Sequence, residues 1–511
     1  MEGEKKSFIE KIAGGEKDPA KSVDRVYDRF VEDDINDIVD GGELKHAEFF
    51  YSCFKDDIKI VDANGGYVYN HLSRLYERQT IPFIIHKICT YLDTMIVDLF
   101  KQIVGQANKT DQCTKLMKAL KTVRKNSHGK AVFELCLGRF YDPSFEAQLD
   151  KTPYLLPIRH KKVIDLRNLT VRYRERDDMF SFTLNVDFIT DPKKDHNHAR
   201  DFFYKIFNEN KDVYDYFQKV VGYCITGETE ERTIFICYGV GSNGKSSVFE
   251  LIKECIGKFY TPVDKKVMIK DDSHGGSHTA HLIPLMKARL ATYSETDEKD
   301  TLNMALLKKL RGEEEISARR LYGEQFSFKP CSKYCIMTNL KPDFNINDQA
   351  SIDSIRFIPF KARFVAKPKK NEYLKDPHVV EALKTTYIDE VFTWLCIGAK
   401  KYYDEVREKK EIVLPNVLKL ETQQYINDID TVQQFITEMC DHDDNKQLKD
   451  SILRSELYGN YLVWMAKEGK KPKGSADFSL RLTNLGYEAK REKGVFKVKG
   501  MTMKQNNIFE D

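Results

Sequence analysis

The chain has 511 residues, more than one hydrophobic core usually supports, so two to four domains are expected. With 41% apolar and 32% charged residues it has the composition of a soluble globular protein, and charged side chains interrupt even its most apolar stretch, residues 81–103, which argues against a membrane span. The charged N-terminus lacks an apolar signal core, and most of the eleven cysteines fall in apolar patterns. These features predict a cytosolic or nuclear protein with reduced thiols. The formal net charge of +3 decides nothing about nucleic acid, because only local clusters of basic residues do.

Residues 1–130 are predicted to form a charged and helical N-terminal region. Few aromatic residues occur before position 45, and from Ala47 to about Gln106 apolar residues recur at helical spacing. This spacing indicates packed helices.

Residues 131–225 differ in character from the region before them. Short β-type runs at 154–158, 163–166 and 171–173 are divided by turn residues, and helical spacing returns between Arg200 and Cys224. This segment directly precedes the part of the chain that carries the chemical motifs.

A complete phosphate-loop sequence then follows a buried strand. Residues 233–238 are uniformly apolar in the manner of a fully buried strand, residues 239–246 match G-x-x-x-x-G-K-S, and helical spacing follows. In such a loop the backbone amides and the helix N-terminus bind phosphate, Lys245 neutralises the β and γ oxygens, and the Ser246 hydroxyl ligates Mg²⁺. The sequence therefore predicts a site for ATP and Mg²⁺. Its nucleotide-binding residues are Gly239, Gly241, Ser242, Asn243, Gly244, Lys245, Ser246 and Ser247.

Two further strands end in polar residues that could complete this site. An apolar run at 289–294 is followed by Glu295, our candidate for polarising the attacking water, and by Asp297 or Glu298, which could complete the Mg²⁺ shell. Each acid alone would more often be a solvated loop residue. A second apolar run, 333–338, is followed by Asn339, which in this order is typical of a sensor for the γ-phosphate, although asparagine is also common in turns.

These motifs, in this order, resemble those of the superfamily 3 primase-helicases of poxviruses, other nucleocytoplasmic large DNA viruses, and related phages and plasmids. The resemblance extends from about Ala47 to Asp511. Its most specific matches are residues 241–246, 294–295, 316–323, 326–330 and 338–342.

The resemblance implies an α/β fold in which an AAA+-like P-loop motor occupies residues 226–370. A mostly helical collar region with its core segment at 131–225 would precede the motor, a helical connector at 371–430 would follow it, and residues 431–511 would form a winged-helix-like domain. It further implies a hexameric homo-oligomer that binds ATP between subunits and threads single-stranded DNA through its channel.

The implied function is ATP-dependent DNA unwinding during viral or phage genome replication. Single-stranded and fork DNA, a primase and other replication proteins are the implied partners, no membrane is involved, and the implied location is the cytoplasm of the host cell, in a viral replication factory. The sequence leaves open an alternative, a P-loop ATPase that remodels protein or assembles on DNA without unwinding it.

The stretch between the second and third motif strands resembles the DNA-contacting hairpin of the family. Arg319, Arg320 and Lys329 are candidates for backbone contacts, with Tyr322 near the tip. The same basic residues could instead form ion pairs with the acidic run 313–315.

The sequence departs from the family pattern at two places. The basic pair that supplies the arginine finger aligns with Asp353 and Ser354, which leaves Arg356, our first candidate, or Arg363 for that role. In addition, the first 130 residues are too few for a primase domain and lack paired strand-borne carboxylates. Either this chain is a helicase-only fragment of a longer protein, or its primase is supplied elsewhere.

The C-terminal end is more basic than the chain as a whole. From Thr431 the pattern predicts two amphipathic helices, a further apolar run and a hairpin at 494–500, the order of a winged helix. Lysines and arginines outnumber carboxylates after position 466, so this end is the predicted auxiliary DNA-binding surface, unless it is only a solubilising tail.

Overall fold

The structure is a computed structural model. It describes residues 39, 42–106, 108–191, 197–270, 279–294, 296–297, 300–312, 314–319, 325–442, 451–492 and 494–504. Two compact units divide the chain. The first comprises residues up to Ile164 together with 171–184, and the second comprises 165–170 and everything from Asn185 onward.

The first unit combines helices with short antiparallel strands. Within the described residues its elements are α1 (Gly42–Phe54), β1 (Ile58–Asp62), β2 (Gly65–Asn70), β3 (Leu75–Thr80), α2 (Ile81–Ile103), α3 (Thr110–Val123), α4 (Asn126–Phe140), α5 (Phe145–Gln148), β4 (Leu155–Ile158), β5 (Lys162–Asp165) and β6 (Thr170–Tyr173). Helix α2 carries the predicted apolar spacing, and its side chains from Ile84 to Leu99 that follow this spacing are buried. The short strands predicted between 154 and 173 are confirmed.

Residues 58–80 correct the expectation of packed helices. They form the antiparallel sheet β1–β2–β3, in which β2 pairs with both neighbours. Close backbone approach explains the difference: a Cβ on Gly65 would lie 2.0 Å from the Gln79 carbonyl oxygen, and one on Gly66 would lie 2.2 Å from that of Lys59. Two consecutive glycines cost a helix about 1 kcal/mol each, whereas here they allow the strands to meet.

The second unit contains the chemical motifs. Within the described residues its elements are α6 (His198–Ile206), α7 (Lys211–Ile225), β7 (Ile234–Tyr238), α8 (Lys245–Ile256), β8 (Tyr260–Pro262), α9 (Lys265–Met268), β9 (Leu290–Ser294), α10 (Met304–Arg311), β10 (Ile316–Arg319), β11 (Gln325–Phe328), β12 (Lys333–Thr338), α11 (Gln349–Ser354), β13 (Ile355–Pro359), β14 (Phe364–Val365), β15 (Tyr373–Leu374), α12 (Pro377–Thr385), α13 (Ile388–Lys409), α14 (Asn416–Ile429), α15 (Thr431–Met439), β16 (Cys440–His442), β17 (Ser451–Leu453), α16 (Arg454–Lys467), α17 (Ser475–Asn484), β18 (Ala489–Glu492), β19 (Val495–Lys499) and β20 (Met501–Met503). The predicted α/β class is confirmed.

A five-stranded parallel sheet in the order β13–β7–β12–β9–β8 organises this unit. Its three central strands are almost entirely buried, which is the pattern of strands covered on both faces. The carboxyl ends of parallel strands lie along one edge. The loop after Tyr238, the turn after Thr338 and the segment after Ser294 therefore leave the sheet side by side.

Residues from Thr431 onward form a small module with its own core. Phe435, Leu457, Tyr461, Phe478 and Val498 are buried together in it. The succession β17, α16, α17, β18, β19 has the order expected of a winged helix, and that assignment stays a prediction. All eleven cysteines are free thiols, as expected. In the described part of the chain no helix has the length and apolarity needed to cross a bilayer.

Candidate nucleotide-binding site

The loop between β7 and α8 turns through left-handed backbone. Gly241, Ser242 and Gly244 have φ values of +45°, +51° and +82°, which is the region that glycine adopts without steric cost. Two backbone hydrogen bonds anchor the loop. The Gly239 amide donates to the Thr338 carbonyl at 3.1 Å, and the Phe364 amide donates to the Ser242 carbonyl at 2.8 Å.

Replacing Gly244 with alanine is expected to damage this loop. A Cβ at this position would lie 2.2 Å from the Cδ1 atom of Ile206, and the left-handed conformation costs any other L-residue roughly 1–2 kcal/mol. We expect a free energy of unfolding lower by about that amount and weaker ATP binding, measured by urea denaturation and by titration with a fluorescent nucleotide. The control is Gly459→Ala, because Gly459 lies within helix α16 with no heavy atom close to the added methyl. Equal behaviour of the two variants would contradict the role assigned to the loop conformation.

Lys245 begins helix α8 and is buried, with 6% of its surface exposed. Its ammonium donates to the Gly239 carbonyl, to Asn243 Oδ1 at 3.2 Å and to Asn339 Oδ1 at 2.9 Å. All three acceptors are neutral oxygens, and burial lowers the pKa of Lys245 to about 8. A bound anion would stabilise the charged form and raise this pKa, so the environment of this lysine suits a phosphate group.

Asn243 shows a second unmet requirement in the same loop. Only 4% of the residue is exposed, and its Nδ2 atom has no hydrogen-bond partner among the described residues. A buried amide without an acceptor costs free energy, which an oxygen of a bound ligand could recover.

The structure brings some of the predicted residues together and separates others. Asn339 follows β12 and contacts Lys245, whereas Asp297 is an exposed residue that pairs with Lys265 at 2.7 Å. Lys265 also pairs with Asp300 at 2.8 Å. Since Asp297 is engaged in this ion pair, the structure gives its proposed role in the metal shell no support. Glu295 and Glu298 lie outside the described residues.

The residues present nevertheless fit a nucleotide-bound Mg²⁺. This ion usually takes one or two carboxylates, several waters and substrate phosphates rather than a full protein cage. Ser246 supplies a hydroxyl next to Lys245, and Glu295 follows the end of the adjacent motif strand in the sequence. The described residues contain no group of three or more His, Cys, Asp or Glu side chains that could hold a metal ion.

A cavity of about 750 Å³ opens at the loop. Residues 241–247 and Asn339 line one end of it. The rest of the wall comes from α6 and from the segment 364–380, namely from His198, Asp201, Phe202, Lys205, Ile206, Phe364, Tyr373, Leu374, Lys375, Asp376, Pro377, Val379 and Val380. The Phe364 and Tyr373 rings stack with centroids 5.4 Å apart.

None of these additional wall residues was predicted from the sequence. They come from two segments on opposite sides of the phosphate loop in the chain, and neither segment carries a phosphate-binding motif. The one pattern in the sequence that could have indicated a cavity wall is the cluster of aromatic and aliphatic residues between 364 and 380. Their aromatic and aliphatic side chains in the same cavity as the loop suit the planar, apolar faces of a nucleobase.

The two arginine candidates differ in their surroundings. Arg356 is half-buried on β13 and donates to the carbonyls of Asp353 and Ile355 at 2.6 and 3.1 Å. The side chain of Arg363 is 67% exposed and lies 3.3 Å from Glu372. Arg363 directly precedes Phe364 of the cavity wall, so it is the candidate nearer in the chain to the nucleotide cavity.

The predicted DNA-contacting segment forms a two-stranded antiparallel hairpin, β10 and β11. The side chains of Ile316, Ala318 and Phe328 on its two strands are buried. Arg319, at the end of β10, and Lys329, just after β11, are exposed. The hairpin therefore presents these basic side chains to solvent, as a surface for a polyanion requires. Arg320 and Tyr322 lie outside the described residues.

Two family profiles match parts of this chain. Residues 47–208 match the family described as D5 N terminal like, and residues 237–355 match a family of unknown function, DUF5906. The first match covers most of the first unit and all of α6 and ends before α7, and the second begins inside β7 and ends at the start of β13.

The curated relatives are proteins of large DNA viruses. A protein of Acanthamoeba polyphaga mimivirus described as a putative helicase is 26% identical over 370 residues, which is 70% of this chain and 38% of that protein. Another putative helicase, from Invertebrate iridescent virus 3, is 24% identical over 65% of this chain and 37% of its own length. A putative primase of African swine fever virus is 22% identical over 41% of this chain and 22% of its own length. The chain thus spans less than two fifths of the length of these relatives.

Among solved structures, the apo C-terminal region of NrS-1 is similar to this chain with a TM-score of 0.38 and 12% sequence identity. The similarity covers 74% of this chain and 90% of the NrS-1 region.

Proposed function

Since this chain is a distant member of the superfamily 3 primase-helicase family of large DNA viruses, we propose that it hydrolyses ATP to translocate on single-stranded DNA and unwind duplexes during genome replication. The observation that carries the proposal is the environment of Lys245. A buried ammonium at the start of α8 contacts only neutral oxygens, one of them from Asn339, which follows the neighbouring strand β12. This arrangement supports the proposal that both groups contact the terminal phosphates of a nucleotide.

In the proposed complex the triphosphate lies along residues 239–246 and the base enters the aromatic end of the cavity. Ser246 and Glu295, which follows β9 in the sequence, would hold Mg²⁺. The bound ion would neutralise charge on the β- and γ-phosphate oxygens. The Asn243 amide gains the acceptor that it lacks.

Hydrolysis then requires a positioned water. Glu295 accepts a proton from this water while the oxygen of the water attacks the γ-phosphorus. The bond from phosphorus to the β–γ bridging oxygen breaks, and ADP leaves with that electron pair, while Asn339 and Lys245 hold the γ-phosphate in place.

We further propose that the sites form between subunits of a homo-oligomeric ring, a hexamer by family resemblance, with an arginine from the adjacent subunit completing each site. The β10–β11 hairpin would face the DNA through Arg319 and Lys329. A primase partner and a location in cytoplasmic replication factories of the host belong to the same proposal.

The direct test is steady-state ATP hydrolysis with and without single-stranded DNA. We expect DNA to stimulate turnover of the wild type. Glu295→Gln should lower hydrolysis by about 10²-fold or more while leaving ATP binding intact, because the amide keeps the size of the side chain but accepts no proton. The absence of any stimulation by DNA in assembled, ATP-binding protein would refute translocation.

One observation favours a second candidate, an ATPase that assembles on DNA without unwinding it. The family position of the arginine finger holds Asp353 and Ser354, and the Arg356 guanidinium donates hydrogen bonds to the carbonyls of Asp353 and Ile355. Assembled rings that bind ATP with negligible hydrolysis would support this candidate.

A further inference from the structure

The β18–β19 hairpin of the C-terminal module carries an exposed aromatic ring between two arginines. Phe496 is 44% exposed. The Arg454 guanidinium lies 4.8 Å from the centre of its ring. Arg491 is the cross-strand partner of Phe496, so both side chains lie on one face of the hairpin.

This ring is exposed although the hairpin itself is firmly packed. Val498, two residues further along the same face, is fully buried, and β19 also pairs with β17 on its other side. Strand β19 is therefore anchored in the core of the module through Val498, while Phe496, nearer its start, is exposed to solvent. An aromatic ring fixed in this way is a preorganised stacking surface.

The charge around the ring is suited to a polyanion. Residues 489–499 contain five basic residues and one acidic residue. Among the described residues Lys490 and Arg491 have no ion-pair partner, whereas Lys499 pairs with Glu492 at 2.7 Å. A surface that combines free cations with a solvent-exposed ring is typical of single-stranded nucleic-acid binding.

The helix of the module that could compete for this role is already engaged. On α17, Arg481 donates to Asp430 at 2.6 Å, and Asn484 donates to the Asn347 carbonyl at 3.4 Å. Both partners belong to the segments that precede the module, so this face of α17 is held against them. On the hairpin, by contrast, Lys490 and Arg491 are exposed.

We propose that Phe496, Arg454 and Arg491 form a binding site for single-stranded DNA, in which a base stacks on Phe496 and the arginines contact the flanking phosphates. The choice of DNA as the occupant rests on the proposed function. The stacking itself rests on the geometry of the hairpin, and it requires an unpaired base, because the faces of bases in a duplex are covered.

The test is fluorescence anisotropy of a labelled oligothymidine with the full chain in the absence of nucleotide. Phe496→Ala is expected to bind about 5- to 100-fold more weakly, and Phe496→Trp should bind like the wild type because it retains a stacking surface. The matched control is Phe83→Ala, since Phe83 is 45% exposed but lies on α2 of the other unit. Hydrolysis of ATP without DNA should be unchanged in all three variants.

The salt dependence of the affinity separates stacking from charge. Arg491→Gln should reduce the slope of log affinity against log salt by about 0.7, the value for one single-strand phosphate contact, whereas Phe496→Ala should leave the slope unaltered. Wild-type affinity of Phe496→Ala, failure of tryptophan to restore binding, or equal competition by duplex DNA or by single-stranded RNA would each overturn the proposal. These outcomes are independent of hydrolysis. If DNA stimulates ATP turnover but Phe496→Ala binds DNA like the wild type, only the proposed stacking site is refuted. If DNA binding depends on Phe496 but ATP is not hydrolysed, only the proposed motor function is refuted.

Discussion

Lys245→Ala is expected to abolish ATP hydrolysis, with kcat/KM falling by at least about 10²- to 10³-fold, the loss typical of removing one preorganised charge donor. Its ammonium is buried at the start of α8 and lies between the loop and Asn339, so no other described cation occupies that position. The variant also loses the positive charge that would pair with the phosphates, so nucleotide binding should weaken as well. Turnover and nucleotide titration measure the two effects separately.

The control for this variant is Lys253→Ala. Lys253 lies on the same helix but is exposed. It should keep wild-type turnover. Hydrolysis that survives in Lys245→Ala at a rate close to that of the control would show that the loop is not the site of chemistry.

Arg363→Ala is expected to lower hydrolysis by about 10³-fold or more while sparing ATP binding, the signature of an arginine finger. The exposed guanidinium of Arg363 needs to leave only one ion pair to reach a neighbouring phosphate. Arg356 would have to break two hydrogen bonds to its own backbone, and it pairs in register with Phe235, three residues before the end of β7. We therefore expect Arg356→Ala to have the smaller effect, although the sequence names Arg356 as the first candidate; the choice between the two arginines stays a prediction.

Mixing two inactive variants tests whether the arginine acts between subunits. A ring that combines Arg363→Ala with Lys245→Ala subunits contains some interfaces with both groups intact, so partial activity should return. Mixtures that stay inactive would place Arg363 in the site of its own subunit. A loss confined to Arg356→Ala would reverse the assignment.

The elements that carry the predicted site could be predicted where the pattern is contiguous. Residues 233–256 carry a buried strand, a glycine-containing loop and a helix with regular apolar spacing, and each of these patterns is local. The sequence also predicts the strand before Asn339, whereas the hydrogen bond between Asn339 and Lys245 is visible only in the structure. The ion pair between Asp297 and Lys265 could not be predicted from the sequence, because nothing near Asp297 in the chain indicates that Lys265 lies beside it.

Sequence alone therefore determined the α/β class, the positions of β7, β9 and β12 along the chain, and the family to which the chain is related, and it predicts the phosphate loop. Tertiary structure decided that residues 58–80 form a sheet, that α6 and residues 364–380 join the loop in lining the cavity, and which contacts each candidate arginine makes. The physical reason is the range of the interactions. Helical spacing and loop chemistry act over a few neighbouring residues, whereas a cavity wall, a close glycine contact and the freedom of a guanidinium depend on segments that meet only when the chain is folded.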